Sequence, residues 1–137
     1  MIMLKTFALA LVLASGLSFT TQASAEDCPV EFGNETYMDT VISKIEQSPS
    51  CYEGVELARN CALGASGDYA IARTAQTKCT ADFEKKLSRA EKRTYDSLIA
   101  KCDRKYAKME GTMYISMAAH CRLNVSRLYS DLYSPAE

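Results

Sequence analysis

Six cysteines, one histidine and a few closely spaced carboxylates are the residues of this 137-residue chain whose types admit chemistry. No Cys-x-x-Cys occurs, so neither a thioredoxin-like redox centre nor a zinc ribbon is supported, and the Cys-x-x-Cys-His of heme attachment is absent too. His120 precedes Cys121, an adjacency that suggests a metal ligand or a thiol with its base. Neighbouring side chains on a helix diverge by roughly 100°, however, and the cysteine is better used in a disulfide. Glu53 and Glu56 are spaced for one helix surface, where a solvated face is a simpler use than acid–base work. No Gly-rich phosphate loop and no Gly-x-Ser-x-Gly elbow is present. The chain therefore reads as a non-enzyme with no metal and no cofactor, its cysteines spent on cross-links.

The compartment follows from where those cysteines lie. Residues 1–25 carry one positive charge, Lys5, then an apolar stretch from Phe7 to Phe19, then the small-x-small element Ala23-Ser24-Ala25. That is the pattern of an export signal removed before Glu26. All six cysteines fall after it, and an even number in an oxidising compartment predicts three disulfides. No later run approaches the ~20 apolar residues of a membrane span. The expectation is a bacterial periplasmic or secreted protein with no membrane anchor after cleavage, its residues 26–137 forming one domain.

Positioning the cysteines requires helices, and the chain after the signal supplies little else. An irregular arm, 26–33, contains Pro29. Asn34 is then a candidate cap for a first helix with Tyr37, Met38, Val41, Ile42 and Ile45 on one face. Ser50 starts a second helix that stops at Gly64, and a third runs from near Asp68 to Leu87. Ser88-Arg89-Ala90-Glu91 has the form of a capping box and opens a fourth. A turn at Gly111-Thr112 leads to the last, with Met113, Met117, Cys121, Val125, Leu128 and Leu132 as its buried stripe, and Met109, Met113 and Met117 filling gaps in the core. The alternation of a half-buried strand is missing. The predicted fold is all-α, a small disulfide-stapled bundle of four to five helices.

In an antiparallel helix pair, residues equidistant from the turn share a level, each residue shifting it by ~1.5 Å. Cys102 and Cys121 are equidistant from the Gly111-Thr112 turn, and Cys51 and Cys79 from the Gly64–Gly67 turn. Cys61 with Cys79 would be out of level, which leaves Cys61 for Cys28, on an arm that folds back along the first helix.

Charge is segregated along the chain. Glu26 to Ala70 holds nine acidic residues against Lys44 and Arg59, a net of −7, while Ile71 to Ser130 holds thirteen basic residues against six acidic ones, a net of +7. Such polarity can steer a charged partner, or cancel if the two halves lie against each other. Acids interspersed through the basic half argue against nucleic acid as the partner. Among eight tyrosines, Tyr52, Tyr114 and Tyr133 fall off the apolar stripes, where an aromatic ring with a polar tip suits a protein contact.

The last third carries a resemblance. Cys102, then Tyr106-Ala107-Lys108-Met109-Glu110-Gly111-Thr112-Met113-Tyr114, then Ala118-Ala119-His120-Cys121-Arg122-Leu123 resembles the C-terminal part of the LprI-type lysozyme inhibitor family, small exported bacterial proteins. Cys51 and Cys61 resemble that domain's first cysteines. The likeness spans about Cys51 to Leu132. Thr94-Tyr95-Asp96-Ser97-Leu98-Ile99 departs from the family's Trp and Tyr-Arg-Asp-like element, and Cys28 and Cys79 are additional. The resemblance implies a protein-binding function with lysozyme as partner, inhibited by occlusion of its cleft. Glu53, Glu56, Tyr52 and Tyr114 are the candidate contact residues. The alternatives are a secreted virulence factor acting on a host protein and an envelope accessory protein.

Overall fold

The structure is a computed structural model that describes residues 27–134; the expected export signal at 1–25, the cleavage junction and residues 135–137 lie outside the described residues. Five α-helices follow one another: α1 (Tyr37–Gln47), α2 (Cys51–Asn60), α3 (Asp68–Phe83), α4 (Arg89–Tyr106) and α5 (Thr112–Tyr133), with a 3-10 turn, Glu84–Lys86, between α3 and α4. The described residues contain no strand, and three disulfides staple the bundle.

Local chemistry sets each boundary. Thr36, not Asn34, caps α1: it accepts from the Asp39 N–H at 3.2 Å and returns its hydroxyl to the Asp39 carboxylate at 2.6 Å, a reciprocal contact that Asn34, two residues further out in a bend, does not make. Ser50 caps α2 through the Glu53 N–H. Ser88 and Glu91 form the full capping box of α4. Gly64 (φ +69°) and Gly111 (φ +113°) take backbone conformations that a Cβ would strain, and they turn the chain after α2 and before α5.

The long helices α3 and α5 form the central pair, with α1 and α2 on one side and α4 packed chiefly on α5. Two apolar clusters result. Val41, Ile45, Val55, Ile71 and Leu123, all fully buried, fill the space between α1, α2, α3 and α5. At the other end Phe83, Tyr95 and Tyr129 cluster with ring centroids 5.0 to 5.5 Å apart, Tyr95 edge to face with both others and Phe83 tilted on Tyr129, and the Tyr95 hydroxyl bonds Ser126 Oγ at 2.8 Å. Each such aromatic contact contributes about 0.5–1.5 kcal/mol beyond the area it buries.

The disulfides join Cys28 to Cys61, Cys51 to Cys79 and Cys102 to Cys121, with alpha carbons 4.6, 4.6 and 5.6 Å apart. The last two are the pairings expected from shared levels about the two turns, and the first joins the remaining pair through the N-terminal arm. Each stabilises the fold by about 3 kcal/mol if it acts by restricting the unfolded chain.

Helix α5 departs from expectation. Its inner face is Ser116, Ala119, Leu123, Ser126, Tyr129 and Ser130, all buried, while Met113, Met117, Leu128 and Leu132 are 51, 41, 54 and 66 % exposed. Met109, at 48 %, is exposed as well and lies beyond the end of α4. Met109, Met113 and Met117 therefore do not fill the core. Small side chains on the inner face admit close approach to α3, and their hydroxyls find partners there: Ser116 bonds Asp68 and Ser130 bonds Asp82, both at 2.6 Å.

Candidate protein-binding surface

Helix α5 is oriented by a buried carboxylate. Asp68, fully shielded at the first turn of α3, accepts the backbone N–H groups of Leu63, Gly64 and Ala65 at 2.7, 2.8 and 3.3 Å, and the Ser116 hydroxyl of α5. One side chain thus holds the α2–α3 turn against α5. Beside it the Tyr37 hydroxyl donates to the Cys61 carbonyl at 2.8 Å, and burial, reinforced by the Asp68 charge, pushes that phenol above its ordinary pKa.

With its inner face so placed, α5 presents outward the row Met113, Met117, Asn124, Leu128 and Leu132 at spacings of three to four residues or their multiples. Half-buried Val125, together with Lys105 and Tyr106 of α4, shapes the middle of this row into a shallow groove of about 560 Å³. Exposed apolar side chains aligned on one helix face make this the candidate contact surface.

The opposite rim is α2. Arg127 of α5 lies 4.7 Å over the Tyr52 ring and reaches Glu56 at 3.3 Å and Asp131 at 3.6 Å; Arg59 joins the same Glu56 at 3.2 Å and Asn124 at 2.7 Å. Tyr52 and Glu56 are therefore brought beside the apolar row. Glu53 sits one face further round, lining with Glu56 a groove of about 490 Å³ between α1 and α2. Tyr114 is not part of this constellation: it is half-buried, stacks on Tyr106 at 6.4 Å and faces Tyr69 and Arg122 on another side of α5. Tyr133 is also spent internally, stacked on Tyr129 and donating to Glu91 at 2.5 Å, which together with Ser88 holds the Glu91 carboxyl at about 2.

Electrostatically the surface is polarised. Among the described residues none of Glu31, Glu35, Asp39, Glu46 and Glu53 forms an ion pair, whereas Glu56 is paired with Arg59 and Arg127. The basic residues of α4 lie across α5 from the α1–α2 end, since α4 packs chiefly on α5. The halves meet where α3 and α5 pack on α1 and α2, and there Arg127 reaches Glu56 at 3.3 Å; the carboxylates without ion partners keep their field.

His120 lines the groove with its Nε2 buried and without a hydrogen-bond partner. Burial pushes its pKa below the ordinary histidine range, an effect that Asp68 opposes and Arg59 reinforces. No group of three His, Cys, Asp or Glu side chains is gathered as for a metal among the described residues, and Cys121 is bonded to Cys102.

Sequence reasoning missed Arg59, Asn124 and Arg127, the polar residues that stitch α2 to α5. Their signal lies in long-range pairing, with sequence separations of 65 and 71, which helical periodicity does not report. Among the described residues no helix is long and apolar enough to cross a membrane. No family model matches the chain, and no curated protein and no solved structure matches it.

Proposed function

We propose that this chain is an exported protein-binding module that docks a basic partner along the outer face of α5, and that lysozyme is the first partner to test. The observation that carries this reading is the exposed row Met113, Met117, Leu128 and Leu132 on the longest helix, where burial of apolar area would supply the affinity. The uncompensated carboxylates of α1 and α2 favour encounter with a positively charged protein, and lysozymes are commonly strongly basic. Tyr52, held flat by Arg127 at the edge of the row, is the aromatic anchor. Inhibition follows from occlusion: a rigid, disulfide-held helix face seated across a cleft excludes substrate without any chemistry of its own. Export to the periplasm or beyond is supported by the leader pattern at 1–25 and by the three disulfides.

The experiment is a titration of c-type lysozyme lytic activity with the oxidised chain from Glu26 to Glu137, beside a reduced and alkylated control. Stoichiometric inhibition by the oxidised form, lost in Met117→Asp with Leu128→Asp, is expected. No inhibition at high molar excess, repeated with g-type and i-type enzymes, overturns lysozyme as partner and directs the search to host or envelope proteins.

A further inference from the structure

A second concavity opens on the opposite side of α5, between α3 and α4, with buried Ala119 as part of its floor and a volume of about 560 Å³, within the range of small-molecule sites. One stripe of α3 supplies its wall: Tyr69, Arg73, Gln76, Thr77 and Thr80, at the helical spacings that bring them onto one face. At one end two guanidinium groups lie near the Tyr69 ring, Arg73 at 5.9 Å and Arg122 at 5.5 Å from its centroid. Their situations differ. Arg122, with 18 % of its side chain exposed, is paired with Asp103 and so is fixed and neutralised. Arg73 donates to the Tyr69 hydroxyl at 2.9 Å, but no carboxylate lies within ion-pair distance of it among the described residues. It is an oriented cation with donors to spare. Glu84, towards the far end, is matched by Lys92 at 3.9 Å.

The threonines add direction to this charge. The Thr77 hydroxyl donates to the Arg73 carbonyl at 3.0 Å, and the Thr80 hydroxyl donates to the Gln76 carbonyl at 2.8 Å. With their protons committed, both oxygens offer only lone pairs to the cleft, so they accept from hydroxyl donors. Ala81 and Ala119 leave room for a ring beside them. An exposed cation without an ion partner at one end and hydroxyl acceptors about one helical turn further along suit a carboxylate on a polyol.

We propose that this cleft is a binding site for a small sugar acid, whose carboxylate is held by Arg73 and whose hydroxyls donate to Thr77 and Thr80. The site shares none of its residues with the groove on the outer face of α5, so it is independent of the protein-binding reading. The test is an NMR titration of the isotopically labelled, oxidised chain with D-glucuronate, with D-glucose lacking the carboxylate and acetate lacking the hydroxyls as matched probes. Saturable shifts of the Arg73, Thr77 and Thr80 amides with glucuronate, at a dissociation constant on the order of 1 mM or tighter, are expected. Both partial probes should bind at least about tenfold more weakly, each lacking one of the two contacts. Arg73→Gln should abolish the shifts, while Arg93→Gln, an equal loss of charge on the exposed face of α4, should leave them unchanged. The proposal is overturned if glucuronate produces no saturable shift, if acetate matches it, or if the two arginine variants weaken it equally.

Discussion

Removing the Asp68 carboxylate tests how the bundle is held in register. Its Oδ2 accepts three donors, from Gly64, Ala65 and Ser116, and its Oδ1 accepts one, from Leu63. Asp68→Ala leaves the Ser116 hydroxyl, 6 % exposed, without that partner; the three turn amides are closer to solvent and recover part of their bonding from water. An orphaned buried group costs about 1–3 kcal/mol, and a bond to a charged acceptor is worth about 1.5–3 kcal/mol. Discounted for the solvated amides, the loss is about 3–4 kcal/mol, a large part of the roughly 5–15 kcal/mol that such a domain has. Asp68→Asn discriminates further. Its amide oxygen can occupy the Oδ2 position and keep three bonds, while its NH2 group meets the Leu63 N–H donor to donor, so the cost falls to about 1–2 kcal/mol. Ser116→Ala removes one bond from an otherwise satisfied carboxylate and costs about 1 kcal/mol. Urea unfolding followed by far-ultraviolet circular dichroism, disulfides intact, measures all three. If Asp68→Ala lies within about 1 kcal/mol of the parent at an unchanged denaturant slope, the turn is not held by this carboxylate and the reasoning fails.

Three further outcomes are expected. Met117→Ser and Leu128→Ser should each shift unfolding stability by no more than about 0.5 kcal/mol, because both side chains already face water; losses of about 2–5 kcal/mol in the same urea assay would return them to the core. Glu53→Lys with Glu56→Lys should slow association with a basic lysozyme by about tenfold at low ionic strength and much less in high salt, read by stopped-flow fluorescence; salt-independent, unchanged kinetics would remove the acidic end as a steering surface. The Glu91 carboxyl, held at about 2 against an ordinary 4.5 by Ser88 and Tyr133, favours the fold when ionised. That contribution is full above the ordinary value and disappears as pH falls through about 2. A carbon-13 NMR titration should find the depressed midpoint and see it rise in Tyr133→Phe; a midpoint at the ordinary value in the parent would contradict the capping geometry.

Much of the scaffold was legible in the sequence because it rests on short-range rules. Ser50 and the Ser88–Glu91 box mark helix starts through bonds that span three residues. Two of the cysteine pairs follow from rise per residue about a turn, which is arithmetic once the turns are located, and Cys28 with Cys61 is the pair that remains. The α1 cap was misplaced by two residues because Asn34 and Thr36 are both competent, and only Asp39, which bonds Thr36 in both directions, decides between them. Asp68 was legible as a helix start but not as a hub, since Ser116, its partner on α5, lies 48 residues away.

The inversion of α5 has a different cause and bears on function. Periodicity finds the apolar stripe of a helix and presumes that it faces in. Here α3 supplies the opposing surface, and what it offers α5 includes two carboxylates: Asp68 takes Ser116 and Asp82 takes Ser130, while Ser126 bonds Tyr95 of α4. These serines have to face inward to meet those partners. Turning α5 to bury Met113, Met117, Leu128 and Leu132 would expose the hydroxyls and leave Asp68 without its Ser116 donor, a cost of the same order as the apolar burial gained. The polar seam thus sets the rotation of α5, and the apolar row is left on the outside as a consequence of that choice. Exposed on the outside, the row gains nothing for the isolated chain in water, and the proposed protein-binding role rests on that exposure.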